Sequence, residues 1–317
     1  MPQGARDIKR KIKSVKNTRQ ITKAMELVAA SKMRRAVEST LALRPYAHLA
    51  QLLLKRLAQA AEGSEAVESS LHPLLTERPV KSVLAVIIST DKGLCGGLNT
   101  QLFRQIRDYL KTEDKKKLTP EVSFVAIGRK AQEFLHRQGK HVVAAYPALS
   151  NNPLVADTYP ISRMVIDDYA KATYDKVILI YTDFKSALSQ SPLLRRLLPL
   201  SQSALEEMVD GLESHIVEQP KGAKPLAGPE NGAEYAFEPS PHEVLAMLLP
   251  RLTEMQVYQA VLEATASEHA ARMFAMRNAS DNAKELMEDL TLTYNGIRQA
   301  AITAELAEIS AGRAALE

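Results

Sequence analysis

The stretch Leu252-Thr-Glu-Met-Gln-Val-Tyr-Gln-Ala-Val-Leu-Glu-Ala-Thr-Ala-Ser-Glu-His-Ala-Ala-Arg-Met-Phe-Ala-Met-Arg-Asn-Ala-Ser-Asp-Asn-Ala-Lys-Glu-Leu-Met-Glu-Asp-Leu-Thr-Leu-Thr-Tyr-Asn295 contains neither glycine nor proline. Apolar residues recur at helical spacing through it, from Leu252 and Met255 to Leu286 and Leu290, and on to Ile297 just past it. The last proline before it is Pro250, so one helix is expected from about Pro241 to Gly312. At 1.5 Å per residue it would run roughly 105 Å, too long for a globular interior. Glu263, Glu268, Arg272, Arg277, Asp281 and Glu285 rule out a membrane span. The stretch therefore reads as half of a long helical shaft that needs a partner.

The partner lies at the other end of the chain. Gly4 to Ala61 contains only one proline, Pro45, which should kink or restart the helix. Ile8, Ile12, Val15, Ile21, Met25, Val28, Met33, Val37 and Leu41 mark its apolar stripe. From Arg6 to Arg56 there are 14 Lys or Arg against Asp7, Glu26 and Glu38. From Pro241 to Glu317 there are 11 acidic residues against six Lys or Arg. Two amphipathic helices of opposite sign suggest an antiparallel coiled coil. Facing residues then have numbers with a constant sum. A sum near 323, within about one turn, would place Ile21 against Ile302, Met33 against Leu290, and Met25 level with Arg298. It would also leave 241–266 below the first helix, packed on whatever lies between.

Between the helices the period changes. Ser82 to Thr90 is a short β-branched run of the kind buried on both faces. Val122–Ile127, Val142–Tyr146 and Lys176–Tyr181 read as further strands. Asn99–Leu110, Arg129–Arg137 and Ile161–Ala172 read as the helices between them, and Lys111–Lys117 as a charged surface turn. The result is a small parallel, Rossmann-like α/β domain inserted between the helices. Ser191–Leu200 suits either a helix or an edge strand. Gly63–Pro79 reads as loop, Ala204–Val217 as a short helix, and the Pro/Gly-rich Gln219–Gly232 as a linker. The expected domains are 1–61, 80–200, 201–240 and 241–317.

Composition bounds the function. Cys95 is the only cysteine, so no intrachain disulfide forms, and a reducing compartment fits. The basic N-terminus lacks the apolar core of a secretory signal. Asp91-Lys-Gly-Leu-Cys-Gly-Gly-Leu-Asn99 follows the first strand and could cradle phosphate on its amides, or could simply be a tight turn into a helix. It matches neither dinucleotide nor P-loop spacing. His48, His72, His136, His141, His215, His242 and His269 show no metal-ligand spacing, and no catalytic constellation assembles. A basic helix could instead bind nucleic acid, the rival reading.

Two motifs favour the shaft. Ile8-Lys-Arg-Lys-Ile-Lys-Ser-Val-Lys-Asn-Thr-Arg-Gln-Ile-Thr-Lys-Ala-Met-Glu-Leu-Val-Ala-Ala-Ser-Lys-Met33 closely resembles the opening of the gamma subunits of F-type ATP synthases. Asn295-Gly-Ile-Arg-Gln-Ala-Ala-Ile-Thr-Ala-Glu-Leu-Ala-Glu-Ile309 resembles their C-terminal signature, and Asp91–Asn99 looks like their Gly-rich turn. The resemblance implies a rotating central stalk, itself non-catalytic and without cofactor or metal. One copy would stand inside an alpha/beta hexamer, and its inserted domain would rest beside epsilon on a membrane c-ring. That places it at the cytoplasmic face of a bacterial plasma membrane. By the same resemblance Met25, Arg298, Gln299 and Thr303 contact beta, and Tyr235 and Glu238 rest on the c-ring. The segment from Leu200 to Tyr235 looks longer than in compact bacterial members. The paired-cysteine switch of chloroplast relatives cannot form with Cys95 alone.

Overall fold

The structure, a computed structural model, describes residues 3–43, 45–46, 49, 72–114, 120–146, 149, 153–200, 238 and 240–314. In chain order its elements are α1 (Gln3–Ala42), β1 (Ser82–Ile88), α2 (Leu98–Asp114), β2 (Glu121–Ile127), α3 (Arg129–Arg137) and β3 (Val142–Tyr146). There follow α4 (Val155–Ala170), β4 (Lys176–Phe184), β5 (Gln190–Leu198) and α5 (Pro241–Ala314). The chain divides into two compact units, residues 32–271 and residues 1–31 with 272–317.

In the unit 32–271 the strands run in the order β3-β2-β1-β4-β5. β1, β2, β3 and β4 are parallel, joined through helices as a βαβ connection requires. The four strands expected from the sequence are thus parallel, and β5, antiparallel to β4, makes the sheet mixed at one edge. The reason is the connection. Ser186 and Ser189 close a short turn by exchanging backbone hydrogen bonds (3.0 and 3.3 Å), which leaves no room for a crossover helix. The ambiguous Ser191–Leu200 stretch is therefore the edge strand, and Pro192 sits where an edge tolerates its missing N–H.

β1 explains why its sequence is apolar throughout. Val83, Ala85 and Ile87 face Leu102 and Ile106 of α2 and Ala131 and Leu135 of α3. Leu84, Val86 and Ile88 face Ile161, Val165 and Tyr169 of α4 together with Val257, Ala260 and Val261 of α5. Each fully buried aliphatic side chain contributes about 1.5–3 kcal/mol. The C-terminal helix thus forms part of the layer on one sheet face, as its lower portion was expected to do.

Several boundaries differ from the sequence reading. α2 continues to Asp114 and takes in the first residues of the expected charged turn. α4 begins at Val155, not Ile161, because Asp157 Oδ2 accepts the Leu154 amide (2.9 Å) and nucleates an earlier turn. α5 starts where Ser240 Oγ accepts the Glu243 amide (3.2 Å), with Pro241 in the first helical position, where its missing N–H costs nothing. It runs for 74 residues, on the order of 110 Å. α1 ends at Ala42, just before Pro45. Its expected continuation over 50–61, the short helix at 204–217, the linker at 219–232 and Tyr235 lie outside the described residues.

In the unit 1–31 with 272–317, the buried residues define the seam. Thr22 and Ala29 of α1 are buried, seven apart, and so are Met276 and Ala283 of α5. Thr22 with Ala283, and Ala29 with Met276, both sum to 305. Arg19 lines one groove with Lys284, Met287, Glu288 and Thr291, again sums near 307. Past Ala301, residues 302–311 are all exposed, as expected once they overrun the start of α1. In the other unit, Met33, Ala36 and Val37 pack against Ala266, Ala270 and Phe184, with sums of 299 to 307.

The register sum is therefore about 305, and the expected 323 is wrong by about 18 residues, roughly 27 Å along the helix. Met25 lies level with about residue 280, not with Arg298. The cause is the composition of the seam. Small residues face inward, while Ile21 (60% exposed), Val28 (55%) and Leu286 (48%) point outward, so matching the large apolar residues of the two stripes gave the wrong pairing.

Candidate coupling surfaces

The sheet order reverses between β1 and β4, the place where open α/β sheets bind ligands beyond the strand ends. Beside it, between the ends of β1 and β2, the chain fills the crevice itself. The first amides of α3 are taken by the loop after β1: Arg129 N–H donates to Asp91 Oδ1 (2.9 Å), Lys130 N–H to the Thr90 carbonyl (3.1 Å) and Ala131 N–H to Ser89 Oγ (2.7 Å). Asn99 Nδ2 donates to Thr90 Oγ1 (2.8 Å) and reaches the buried Cys95 Sγ (3.5 Å), folding the Gly-rich loop onto itself. Gly128 has φ 92, and a Cβ there would lie 2.2 Å from the Ser89 carbonyl oxygen. Val261, Thr265 and Glu268 of α5 close over Ser89 and Gly128, leaving a cavity of about 10 Å³. Such a space holds at most about one water. Ser89, Thr90 and Asp91 thus cap α3, which favours the tight-turn reading of the Gly-rich stretch over the phosphate cradle.

α5 is fastened to the sheet by a buried polar cluster that the sequence reading missed. Tyr181 Oη on β4 donates to Glu263 Oε2 (2.7 Å), and Gln259 Nε2 donates to Glu263 Oε1 (2.7 Å). Tyr181 and Glu263 are 0% and 1% exposed. Burial, reinforced by the Glu263 charge, pushes the Tyr181 hydroxyl well above its ordinary pKa, so it stays protonated as a donor. Arg195 of β5 lies 6.0 Å from the Tyr181 ring centroid. The available signal was a carboxylate set among Val261, Leu262, Ala264 and Ala266.

The residues singled out for partner contact lie elsewhere. Met25 is half-buried, between the seam residues Thr22 and Ala29. Arg298, Gln299 and Thr303 are exposed on α5. Thr303 Oγ1 donates to the Gln299 carbonyl of its own helix (3.0 Å). With the register near 305, Met25 and Arg298 are separated by roughly 27 Å of shaft, so they lie at two heights and not at the single height expected. Glu238 is exposed just ahead of the α5 cap. Among the described residues, no cluster of three His, Cys, Asp or Glu could hold a metal ion, and no helix is long and apolar enough to cross a membrane.

A family model described as ATP synthase matches residues 4–316. The ATP synthase gamma chain of Heliobacterium modesticaldum is 44% identical over 313 residues, covering 99% of both chains. The chain belongs to the ATP synthase gamma-chain family. A chain in the cryo-EM structure of the Tetrahymena thermophila mitochondrial ATP synthase central stalk and c-ring matches with TM-score 0.56 and 27% identity, over 82% of this chain and 99% of that one. A chain from the Euglena gracilis mitochondrial complex of OSCP, F1 and c-ring shares the fold at TM-score 0.62 and 18% identity, over 99% and 94%. This gamma chain is accordingly a central-stalk rotor of ATP synthase, a membrane-associated complex. Membership supersedes the nucleic-acid-binding alternative.

Proposed function

We propose that the chain is the non-catalytic shaft that carries rotation between a membrane c-ring and the beta subunits of an alpha/beta hexamer. The observation that carries this reading is the filled crevice of the α/β domain. The helix that closes it, α5, is one uninterrupted element of 74 residues. A domain that closes its crevice with a long helix is suited to passing force into that helix.

The need for a stiff shaft follows from magnitudes. One charge moved through 100 mV releases only about 2.3 kcal/mol, so several transfers must be accumulated before one synthesis step. The rotor's differing faces then bias each beta subunit toward a different conformation, a population shift by differential contact. The outward apolar residues on both helices suit close contact with a surrounding sleeve. In this reading Met25, and one level along the shaft Arg298, Gln299 and Thr303, meet beta. Tyr235 and Glu238 meet the c-ring, and epsilon sits beside the α/β domain. The functional divisions are 1–61, 80–200, 201–240 and 241–317, in one copy per complex at the cytoplasmic face of a bacterial plasma membrane.

Affinity purification of the tagged chain from its own cells tests the reading. The chain should recover an alpha/beta hexamer in stoichiometric amount and carry no nucleic acid. Recovery alone, or with nucleic acid in place of the hexamer, would refute it.

A further inference from the structure

We infer that Glu263, held by Tyr181, is a rotational lock that positions α5 on the α/β domain and transmits torque between them. This rests on the rotor reading above. The apolar contacts of α5 on this sheet face come from Leu249, Val257, Ala260, Val261 and Ala264. Hydrophobic burial is non-directional: it resists separation, but it penalises a helix only weakly for rolling or sliding on the surface it covers. A shaft gripped in that way alone would slip under load.

Two buried hydrogen bonds add directionality: Tyr258 Oη donates to the Pro153 carbonyl (3.3 Å), and the Glu263 carboxylate ties α5 to the sheet itself. Both of its oxygens are engaged at 2.7 Å, one by Tyr181 on β4 and one by Gln259 a turn earlier on its own helix. Rolling α5 would break the Tyr181 bond and leave an almost fully buried charge short of a donor, which the low-dielectric interior penalises steeply. Apolar residues of the same volume often serve stability equally well at such sites, so a buried carboxylate is better suited to fixing geometry than to adding stability. The Arg195 guanidinium near the Tyr181 ring extends the grip to the neighbouring strand β5.

The test uses the assembled complex, immobilised through its catalytic hexamer, with Cys95→Ser and a probe on Lys140→Cys, an exposed residue of the α/β domain. Tyr181→Phe removes one oxygen from a buried ring, and Glu263→Gln keeps the side-chain volume. Removing the Tyr181–Glu263 bond, which crosses from the sheet to α5, should raise the angular variance of the probe in the arrested complex by roughly twofold. ATP-driven pumping against an opposing gradient should fall while unloaded hydrolysis persists. A core residue acting only through stability would not alter stiffness in complexes that assemble. Wild-type stiffness and loaded pumping in both variants would overturn the lock, and so would failure of both to assemble. If the wild-type complex itself shows no pumping dependent on this chain, the rotor reading fails instead.

Discussion

Thr22 on α1 and Ala283 on α5 are both 8% exposed and lie at positions whose numbers sum to 305. The pair marks the inner seam of the two-helix unit, and apart from Met276 the buried residues that define the seam are small. Two helices joined through such positions approach closely enough for a disulfide, whose Cα atoms must lie within about 7 Å. In a Cys95→Ser background, Thr22→Cys with Ala283→Cys should therefore cross-link on mild oxidation. Ile21→Cys with Ile302→Cys should not, and efficient bonding of that second pair would restore the rejected register.

The contrast shows what sequence could and could not convey. The absence of Gly and Pro over 252–295 and the β-branched run at 82–88 marked the long helix and the first strand directly, since both signals are local. The register was not local. Ile21, Val28 and Leu286 look like seam residues by hydropathy, but all three point outward. The matched motifs located Met25 and Arg298 without fixing their relative height. Glu263 escaped because its partner, Tyr181, is 82 positions away and no spacing rule joins them.

Gly128 should be irreplaceable within the α/β domain. Alanine there adopts a left-handed φ and drives its methyl into the Ser89 carbonyl. The combined strain and displacement should cost about 2–4 kcal/mol in denaturant unfolding of the full chain. Gly139→Ala is the control. Its φ of 62 is also left-handed but nothing lies within 4 Å, so only about 1–2 kcal/mol is expected.

Asp175 should contribute an acid-sensitive part of the stability. Partial burial pushes its carboxyl up, but the amides of Lys81 (2.9 Å) and Ser82 (3.0 Å), helped by the Ser82 hydroxyl, outweigh that and hold it below its ordinary 3.8. A pKa lowered by folding gives stability that is present above 3.8 and lost as pH falls through the depressed folded value. Asp175→Asn should therefore be less stable than wild type at neutral pH and show a shallower loss on acidification. Parallel unfolding curves across that range would show that the carboxylate contributes nothing.

A lysine at Met25 should impair coupling more than catalytic capacity. The position is half-buried beside the seam, so an added charge must turn toward the surrounding subunits, where it can pair with a carboxylate at one rotor angle. Such pairs are worth about 0.2–1 kcal/mol when exposed and more when desolvated, enough to prolong one dwell. Met25→Lys membranes should show a lower ratio of pumping to hydrolysis. An unchanged ratio, with unchanged temperature dependence, would reduce Met25 to packing.

Rotation itself is the most direct measurement. With the catalytic hexamer of the complex fixed to a surface and a probe attached at Lys140→Cys, saturating ATP should drive the probe through stepwise rotation in one direction. The same rotation should stop when a disulfide ties the shaft to the hexamer and resume when that bond is reduced. Sustained ATP hydrolysis with a stationary probe, its angle only fluctuating about one value, would contradict the shaft.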